Sequence, residues 1–122
     1  MYVHKKIIIN TFGYLILIIN TVAANHLVAI SEVSLGKKIY HDRCAVCHGS
    51  QGDGKTFAAN ALYPTPKNFT AKVSKKELTR ERMIESITRG RPGTAMMPWE
   101  RILSKQEIHS VVNYIQQILM EL

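Results

Sequence analysis

Cysteine is scarce in this chain of 122 residues: Cys44 and Cys47 are the only two. A structural zinc site commonly uses four ligands and often a second paired motif, for which no further cysteine is available. The other histidines are single and scattered: His4, His26, His41 and His109. A thioredoxin-like redox pair needs a βαβ context, and no such pattern surrounds residues 35–60. Internal repeats and low-complexity tracts are also absent from the sequence.

The two cysteines belong to the stretch Cys44-Ala45-Val46-Cys47-His48, which reads C-x-x-C-H. This pattern is the signature of covalent c-type haem attachment. Two thiols at this spacing can reach the two vinyl groups along one side of a porphyrin and form thioethers. The histidine that follows is then carried under the iron as the proximal axial ligand. A structural disulfide in an oxidising compartment is the alternative that the residues leave open.

The N-terminal segment, residues 1–24, has the pattern of a secretory signal. Lys5 and Lys6 precede an apolar run from Ile7 to Val22, and small residues follow at a cleavage-like site. An uncleaved membrane anchor is the alternative, because the run is near the shortest span of about 17 residues. Both interpretations place a single domain, residues 25–122, outside the cytoplasm, for example in the periplasm.

Positive charge exceeds negative charge, with 16 Lys and Arg against 9 Asp and Glu and a formal net charge of +7. The basic residues are dispersed and no aromatic-basic motif accompanies them, so we do not expect a nucleic-acid partner. A solvated basic surface that docks an acidic redox partner protein is the preferred interpretation.

Hydrophobic periodicity and capping residues predict three helices, at Glu32–Arg43, Ser74–Arg89 and Lys105–Met120, and either Ser74 or Thr79 can cap the second. Gly36 lies inside the first helix, where glycine costs about 1 kcal/mol relative to alanine, which indicates close approach by another element. Ser104 and Glu107 form a capping box before the last helix. Its apolar stripe is predicted to be Ile108, Val111, Val112, Ile115 and Leu119.

The spacing Gly36-x-x-x-Tyr40-x-x-x-Cys44-x-x-Cys47-His48-Gly49-x-x-Gly52-x-Gly54 resembles the opening of a class I c-type cytochrome, a small monohaem electron carrier. The resemblance covers residues 32–120. It implies an all-α cytochrome c fold, with three or more helices wrapped around one covalently attached haem c. It also implies a one-electron carrier rather than an enzyme.

The stretch from Gly90 to Trp99 is similar to the distal loop of that family, G-x-G-T-x-M-P-x-[WF]. The resemblance implies that a methionine here donates its sulfur to the iron opposite His48. Met96 fits the G-T-x-M spacing and the spacing to Trp99, whereas Met97 is the residue that directly precedes proline. We therefore predict Met96 as the distal ligand, with Met97 as the runner-up.

Further roles follow only from the resemblance. A carbonyl near Pro64 or Pro66 is expected to accept the proton on the other ring nitrogen of the proximal histidine. Phe69 is expected to close the haem pocket, and Tyr114 to pack near Gly36. Met83 shares a helix face with isoleucines and is therefore predicted to belong to the core.

Three alternatives to a free electron carrier remain at this stage. The first is a haem-bearing subunit that is docked permanently on a larger oxidoreductase. The second is a haem enzyme or gas sensor, which needs a displaceable sixth ligand. The third is a non-haem metal or thiol module. A membrane association is expected only if the N-terminal segment is retained.

Overall fold

Helices account for all the regular secondary structure of residues 27–121, the part of the chain that the computed structural model describes. Contacts divide the chain into two units, residues 1–31 and 32–122. In the first unit, residues 27–31 are helical and their side chains are exposed. No helix in the described part of the chain is long and apolar enough to cross a bilayer. The predicted signal segment, residues 1–24, lies outside the described residues.

The first predicted helix extends further along the chain than its side-chain pattern indicates. Residues 32–39 form α1, a π-helical turn covers Tyr40–Cys44, and α2 covers Ala45–His48. Gly49 ends this helical run, since its φ is 81° and its N–H donates back into α2 at 2.9 Å. The predicted end at Arg43 is therefore wrong, because the backbone stays helical until this first glycine with positive φ.

The chain after α2 is irregular as far as residue 71, apart from a 3₁₀ turn at Ala59–Ala61. Its first part folds back on α2, where the Gly54 N–H donates to the His48 carbonyl at 2.8 Å. Its last part returns to the same turn, where the Phe69 N–H donates to the Gly52 carbonyl at 2.7 Å. The irregular segment is thus held beside the C-x-x-C-H motif at both ends.

The helix predicted at Ser74–Arg89 is in fact two helices, α3 at Lys72–Glu77 and α4 at Arg80–Arg89. Leu78 leaves the helical conformation, and its side chain is buried. Thr79 is extended, and its hydroxyl accepts a hydrogen bond from a backbone N–H in the first turn of α4 at 3.2 Å. The prediction of one continuous helix was wrong. The backbone hydrogen bonds of α3 stop at Leu78, and the Thr79 side chain caps a second helix.

The last helix, α5, covers Lys105–Tyr114 and continues into a π-helical turn at Ile115–Leu119. Both bonds of the predicted capping box are present. The Ser104 N–H donates to the Glu107 carboxylate at 2.8 Å, and the Glu107 N–H donates to the Ser104 hydroxyl at 3.3 Å. The whole predicted apolar stripe is buried: Ile108, Val111, Val112, Ile115 and Leu119.

Helices α1 and α5 are in close contact at Gly36. A Cβ atom added to Gly36 would lie 1.9 Å from the Ser110 carbonyl oxygen and 3.0 Å from the Tyr114 Cβ. The fully buried Tyr40 ring packs beside this contact, with its centroid 5.4 Å from that of Tyr114. The Tyr40 hydroxyl donates to the Gly49 carbonyl at 2.7 Å. The predicted close approach is confirmed, and it fixes the helix that leads into the C-x-x-C-H motif.

Candidate haem site

Cys44 and Cys47 lie one helical turn apart, and residues at this spacing share one face of a helix. Both are free thiols with half-buried side chains. Burial, reinforced by the nearby Cys47, raises the pKa of Cys44 to about 12. A redox or metal-binding cysteine instead acts as a thiolate with a lowered pKa. The pair therefore has the spacing for haem attachment, and Cys44 lacks the lowered pKa of a reactive thiol.

His48 ends α2, and a backbone carbonyl holds its ring. The Nδ1 atom lies 3.1 Å from the Lys67 carbonyl oxygen. A carbonyl oxygen can only accept a hydrogen bond, so Nδ1 carries the proton and Nε2 keeps the lone pair that a metal ligand needs. Burial lowers the pKa of His48, although the hydrogen bond to Lys67 opposes this effect. The ring is accordingly neutral at pH 7, as iron ligation requires.

The carbonyl that holds the imidazole is not the one that the sequence resemblance suggests. Pro64 and Pro66 were the two candidates, and the observed acceptor belongs to Lys67. The Lys67 side chain is exposed, and its ammonium group lies 2.9 Å from the Glu77 carboxylate. Lys67 therefore interacts with the imidazole through its backbone carbonyl. Any residue type has a backbone carbonyl. The sequence can therefore indicate the region of the acceptor, through the nearby prolines, but not the residue that supplies it.

Phe69 packs on the face of the same imidazole. The centroids of the Phe69 and His48 rings are 4.8 Å apart, and their planes are inclined by only 15°. Phe69 is 7% exposed, and the Tyr40 ring meets it edge-on with a centroid distance of 6.5 Å. The family resemblance suggests that Phe69 closes the haem pocket, which stays a prediction; it did not indicate the contact with the histidine.

The predicted distal loop, residues 90–99, folds back against α4. The Trp99 N–H donates to the Ile87 carbonyl at 3.0 Å, and the Met96 carbonyl accepts a backbone hydrogen bond from the start of the loop at 2.8 Å. Gly90 permits this return because its φ is 69° and an added Cβ would lie 2.5 Å from the Met96 carbonyl oxygen. The loop is therefore closed on itself and tied to the helix before it.

The two neighbouring methionines of this loop differ in burial. Met96 is half-buried and packs against the hydrophobic core, as does Trp99. Met97 is 49% exposed. Met83, the third methionine considered, is 4% exposed within α4, which confirms its predicted place in the core. Met96 is thus the loop methionine that the fold directs toward the protein interior.

Other metal chemistry finds no support in residues 27–121. Nowhere in that range do three or more His, Cys, Asp or Glu side chains cluster so that they could hold a metal ion. His41 and His109 are exposed. His4 and His26 lie outside the described residues.

Comparison with known proteins decides the family. The family model for cytochrome c matches residues 33–119. This range includes the C-x-x-C-H motif, the irregular segment after α2, the loop at residues 90–99 and α5. The chain belongs to the cytochrome c family. The cofactor of this cytochrome is therefore a covalently bound haem c with its iron, and Cys44 and Cys47 fit its attachment. The predicted all-α cytochrome c fold is likewise confirmed.

Individual relatives are similar over part of the chain. Cytochrome c55X from Stutzerimonas stutzeri is 33% identical over 73 residues, which is 57% of this chain and 53% of that protein. The chain thus spans about half the length of this curated relative. A chain of the Kuenenia stuttgartiensis reducing HAO-like protein complex Kustc0457/Kustc0458 is 28% identical, with a TM-score of 0.58 over 68% of this chain and 40% of that chain. The KustC0563 c-type cytochrome is 30% identical, with a TM-score of 0.59 over 66% of this chain and 93% of that chain.

The side chains of this cytochrome fit a haem in chemistry and in burial. The set includes two thiols for thioethers, a neutral imidazole with a free Nε2 and a thioether sulfur on the distal loop. Several apolar residues pack against the core while part of their surface stays exposed, as suits the lining of a large apolar ring: Cys44, Ala45, Ile84, Met96 and Trp99.

Proposed function

We propose that this cytochrome transfers single electrons between partner proteins outside the cytoplasm. The hydrogen bond from His48 Nδ1 to the Lys67 carbonyl, at 3.1 Å, is the observation that best supports this function, because it leaves Nε2 for iron. Bound haem supplies a one-electron couple of ferric and ferrous iron. Cys44 and Cys47 hold the group covalently, and the buried surroundings limit access of water. This function needs no bond of a substrate to be made or broken, so we propose that the protein is a carrier and not an enzyme.

We further propose Met96 as the distal ligand. Its backbone is held on both sides, since its N–H donates to the Thr94 hydroxyl at 3.1 Å and its carbonyl accepts from Arg91 at 2.8 Å. Neighbouring side chains in an extended segment point to opposite sides. The half-buried Met96 and the exposed Met97 follow this rule. A thioether ligand raises the reduction potential relative to haem with two histidine ligands.

Paired substitutions test this ligand assignment. Met96→Ala should remove the weak sulfur–iron absorption of the oxidised protein and lower the reduction potential. Met97→Ala is the matched control, because it truncates the same residue type one position away, and it should keep both properties. The reverse pattern would assign Met97 as the ligand. If neither variant differs from the wild type, ligation by histidine and methionine is wrong.

We place the partner-docking surface beside the haem motif, where basic and apolar side chains are both exposed. Arg43 and Lys55 supply positive charge, while Val46 is 65% exposed and Phe57 is 94% exposed. The Thr56 hydroxyl donates to a carbonyl of the motif at 3.4 Å, which keeps the Phe57 segment next to it. An acidic redox partner would then be steered by the basic residues and contacted through the apolar ones.

A permanently docked haem subunit is the second candidate function. It is favoured by the similarity to a chain of the reducing HAO-like protein complex. Size-exclusion chromatography of a native extract separates the two candidates, because a free carrier elutes at its own small size and a subunit elutes with its oxidoreductase. Rapid binding of carbon monoxide to the reduced protein would instead favour a haem enzyme or gas sensor, since it requires a displaceable sixth ligand.

Export is part of the proposal and rests on residues 1–24. Their basic start, apolar run and small-residue end favour a cleaved signal, with an uncleaved anchor as the alternative. Covalent attachment of haem c after export is consistent with both. The mass of the purified protein shows which applies, because cleavage removes the first 24 residues.

A further inference from the structure

One short segment contacts the His48 imidazole from two directions. The Lys67 carbonyl meets the ring in its plane, at 3.1 Å from Nδ1. Two residues further on, Phe69 covers the face of the ring, with centroids 4.8 Å apart and planes inclined by 15°. The hydrogen bond and the stacked ring therefore act on different rotations of the same side chain.

The hydrogen bond alone leaves one rotation free. A ring bonded through Nδ1 can turn about the line from Nδ1 to the acceptor with little loss, because the preferred geometry at a carbonyl oxygen is broad. The second side-chain torsion of histidine is also broad, so intrinsic rotamer preferences do not select a plane. A flat aromatic surface parallel to the imidazole removes this freedom, since tilting either ring would drive its edge into the other.

Phe69 can serve as such a surface only if it cannot move away, and three contacts hold it. Its N–H donates to the Gly52 carbonyl at 2.7 Å, and the Tyr40 ring meets it edge-on at 61°. The third contact is with Gly52 itself, which leaves little space beside the ring. A Cβ added at Gly52 would lie 3.2 Å from the Phe69 ring and 3.1 Å from the Leu119 side chain. Gly52 and Tyr40 therefore hold the Phe69 ring beside the imidazole.

We propose that Phe69 is a positioning residue that sets the plane of the His48 imidazole about the axis to the iron. The proposal rests on the proposed role of His48 as proximal ligand. Partners that orient a ligating histidine tune the metal without touching it. In oxidised low-spin haem, the orientation of the axial imidazole determines how unpaired spin is distributed over the porphyrin. The proton NMR shifts of the four haem methyl groups report this distribution.

The test compares holoproteins by the pattern of these methyl shifts. Phe69→Leu keeps an apolar side chain but removes the flat surface, and it should change the order or the spread of the four shifts. Phe69→Tyr keeps the ring and should retain the wild-type pattern. Ile108→Ala is the control, because it also removes buried side-chain volume but lies outside the ring contacts of Phe69 and Tyr40. The control should leave the pattern unchanged.

Two results would overturn the proposal. A wild-type pattern in Phe69→Leu would show that the hydrogen bond from His48 to the Lys67 carbonyl suffices, and equal changes in Ile108→Ala would show a general effect of core packing. If Phe69→Leu does not yield holoprotein, Phe69→Met fills the space with a flexible side chain and carries the same expectations. Failure of the proposed function is separable, because loss of His48 ligation would already be visible in the absorption spectrum of the wild type.

Discussion

Substitution of Gly36 by alanine tests the helix crossing on which the haem motif depends. The added Cβ would lie 1.9 Å from the Ser110 carbonyl oxygen, 2.5 Å from its carbonyl carbon and 3.0 Å from the Tyr114 Cβ. Ordinary contact at such a position begins at 3.4 Å, so α1 and α5 would have to separate by about 1.5 Å. The nearest obstacle is backbone within a helix, which cannot move aside as a flexible side chain can.

Two opposing terms set the expected magnitude. Extra atoms in a well-packed interior cost about 1–3 kcal/mol, and a backbone obstacle places Gly36→Ala near the upper end. Alanine in a helix gains about 1 kcal/mol over glycine. The net effect is a decrease of about 2 kcal/mol in the free energy of unfolding. For a domain of this size, that corresponds to a loss on the order of 10 °C in the melting temperature.

Denaturant unfolding of the holoprotein, followed by far-ultraviolet circular dichroism, measures this difference. Ser34→Ala is the control, because Ser34 is an exposed residue of the same helix and its substitution should change stability by less than about 0.5 kcal/mol. A Gly36→Ala protein as stable as the wild type, or more stable by the helix-propensity gain, would refute the close crossing. It would also remove our explanation for a glycine inside α1.

Two further predictions concern charge. Hydrogen bonds from Ser104 hold the pKa of Glu107 below its usual value of about 4.3, so the capping box stabilises the protein at neutral pH and loses this effect as the pH falls below that value. Glu107→Ala should therefore be less stable than the wild type at pH 7, with a difference that shrinks in acid unfolding experiments; a difference independent of pH would contradict the assignment. Electron transfer to the native partner should slow as salt is added, because exposed charges are screened within about 10 Å at 0.1 M ionic strength. Rates that do not change with salt would indicate an apolar contact or a fixed complex.

The sequence was most informative where side chains determine the structure. The buried stripe of α5, its Ser104 cap and the contact at Gly36 each depend on a residue type that can be recognised in the sequence. The same holds for the spacing of Cys44, Cys47 and His48, whose chemistry requires those residues in that order.

The features that sequence analysis missed are set by the backbone or by packing between distant segments. The acceptor for His48 is a carbonyl of Lys67, which any residue could supply. The break at Leu78 and Thr79 divides a segment with continuous helical periodicity, because a local cap and a buried leucine outweighed propensity. The stacking of Phe69 on His48 joins residues 21 positions apart, which no local pattern encodes.

The π-helical turn at Tyr40–Cys44 has a consequence for how insertions and deletions act on this protein. The Ala45 N–H bonds to the Tyr40 carbonyl, five residues back instead of four, so this turn holds one residue more than a regular one. Each residue of an α-helix advances the direction of its side chain by about 100°. A deletion in this turn can therefore leave a regular α-helical turn, whereas a deletion in α1, which has no extra residue, would rotate both thiols and the imidazole by about that angle relative to the helix face that carries Gly36. A one-residue deletion in α1 should thus be far more damaging than one in the π turn, where substitutions at the exposed His41, Asp42 or Arg43 should also have little effect.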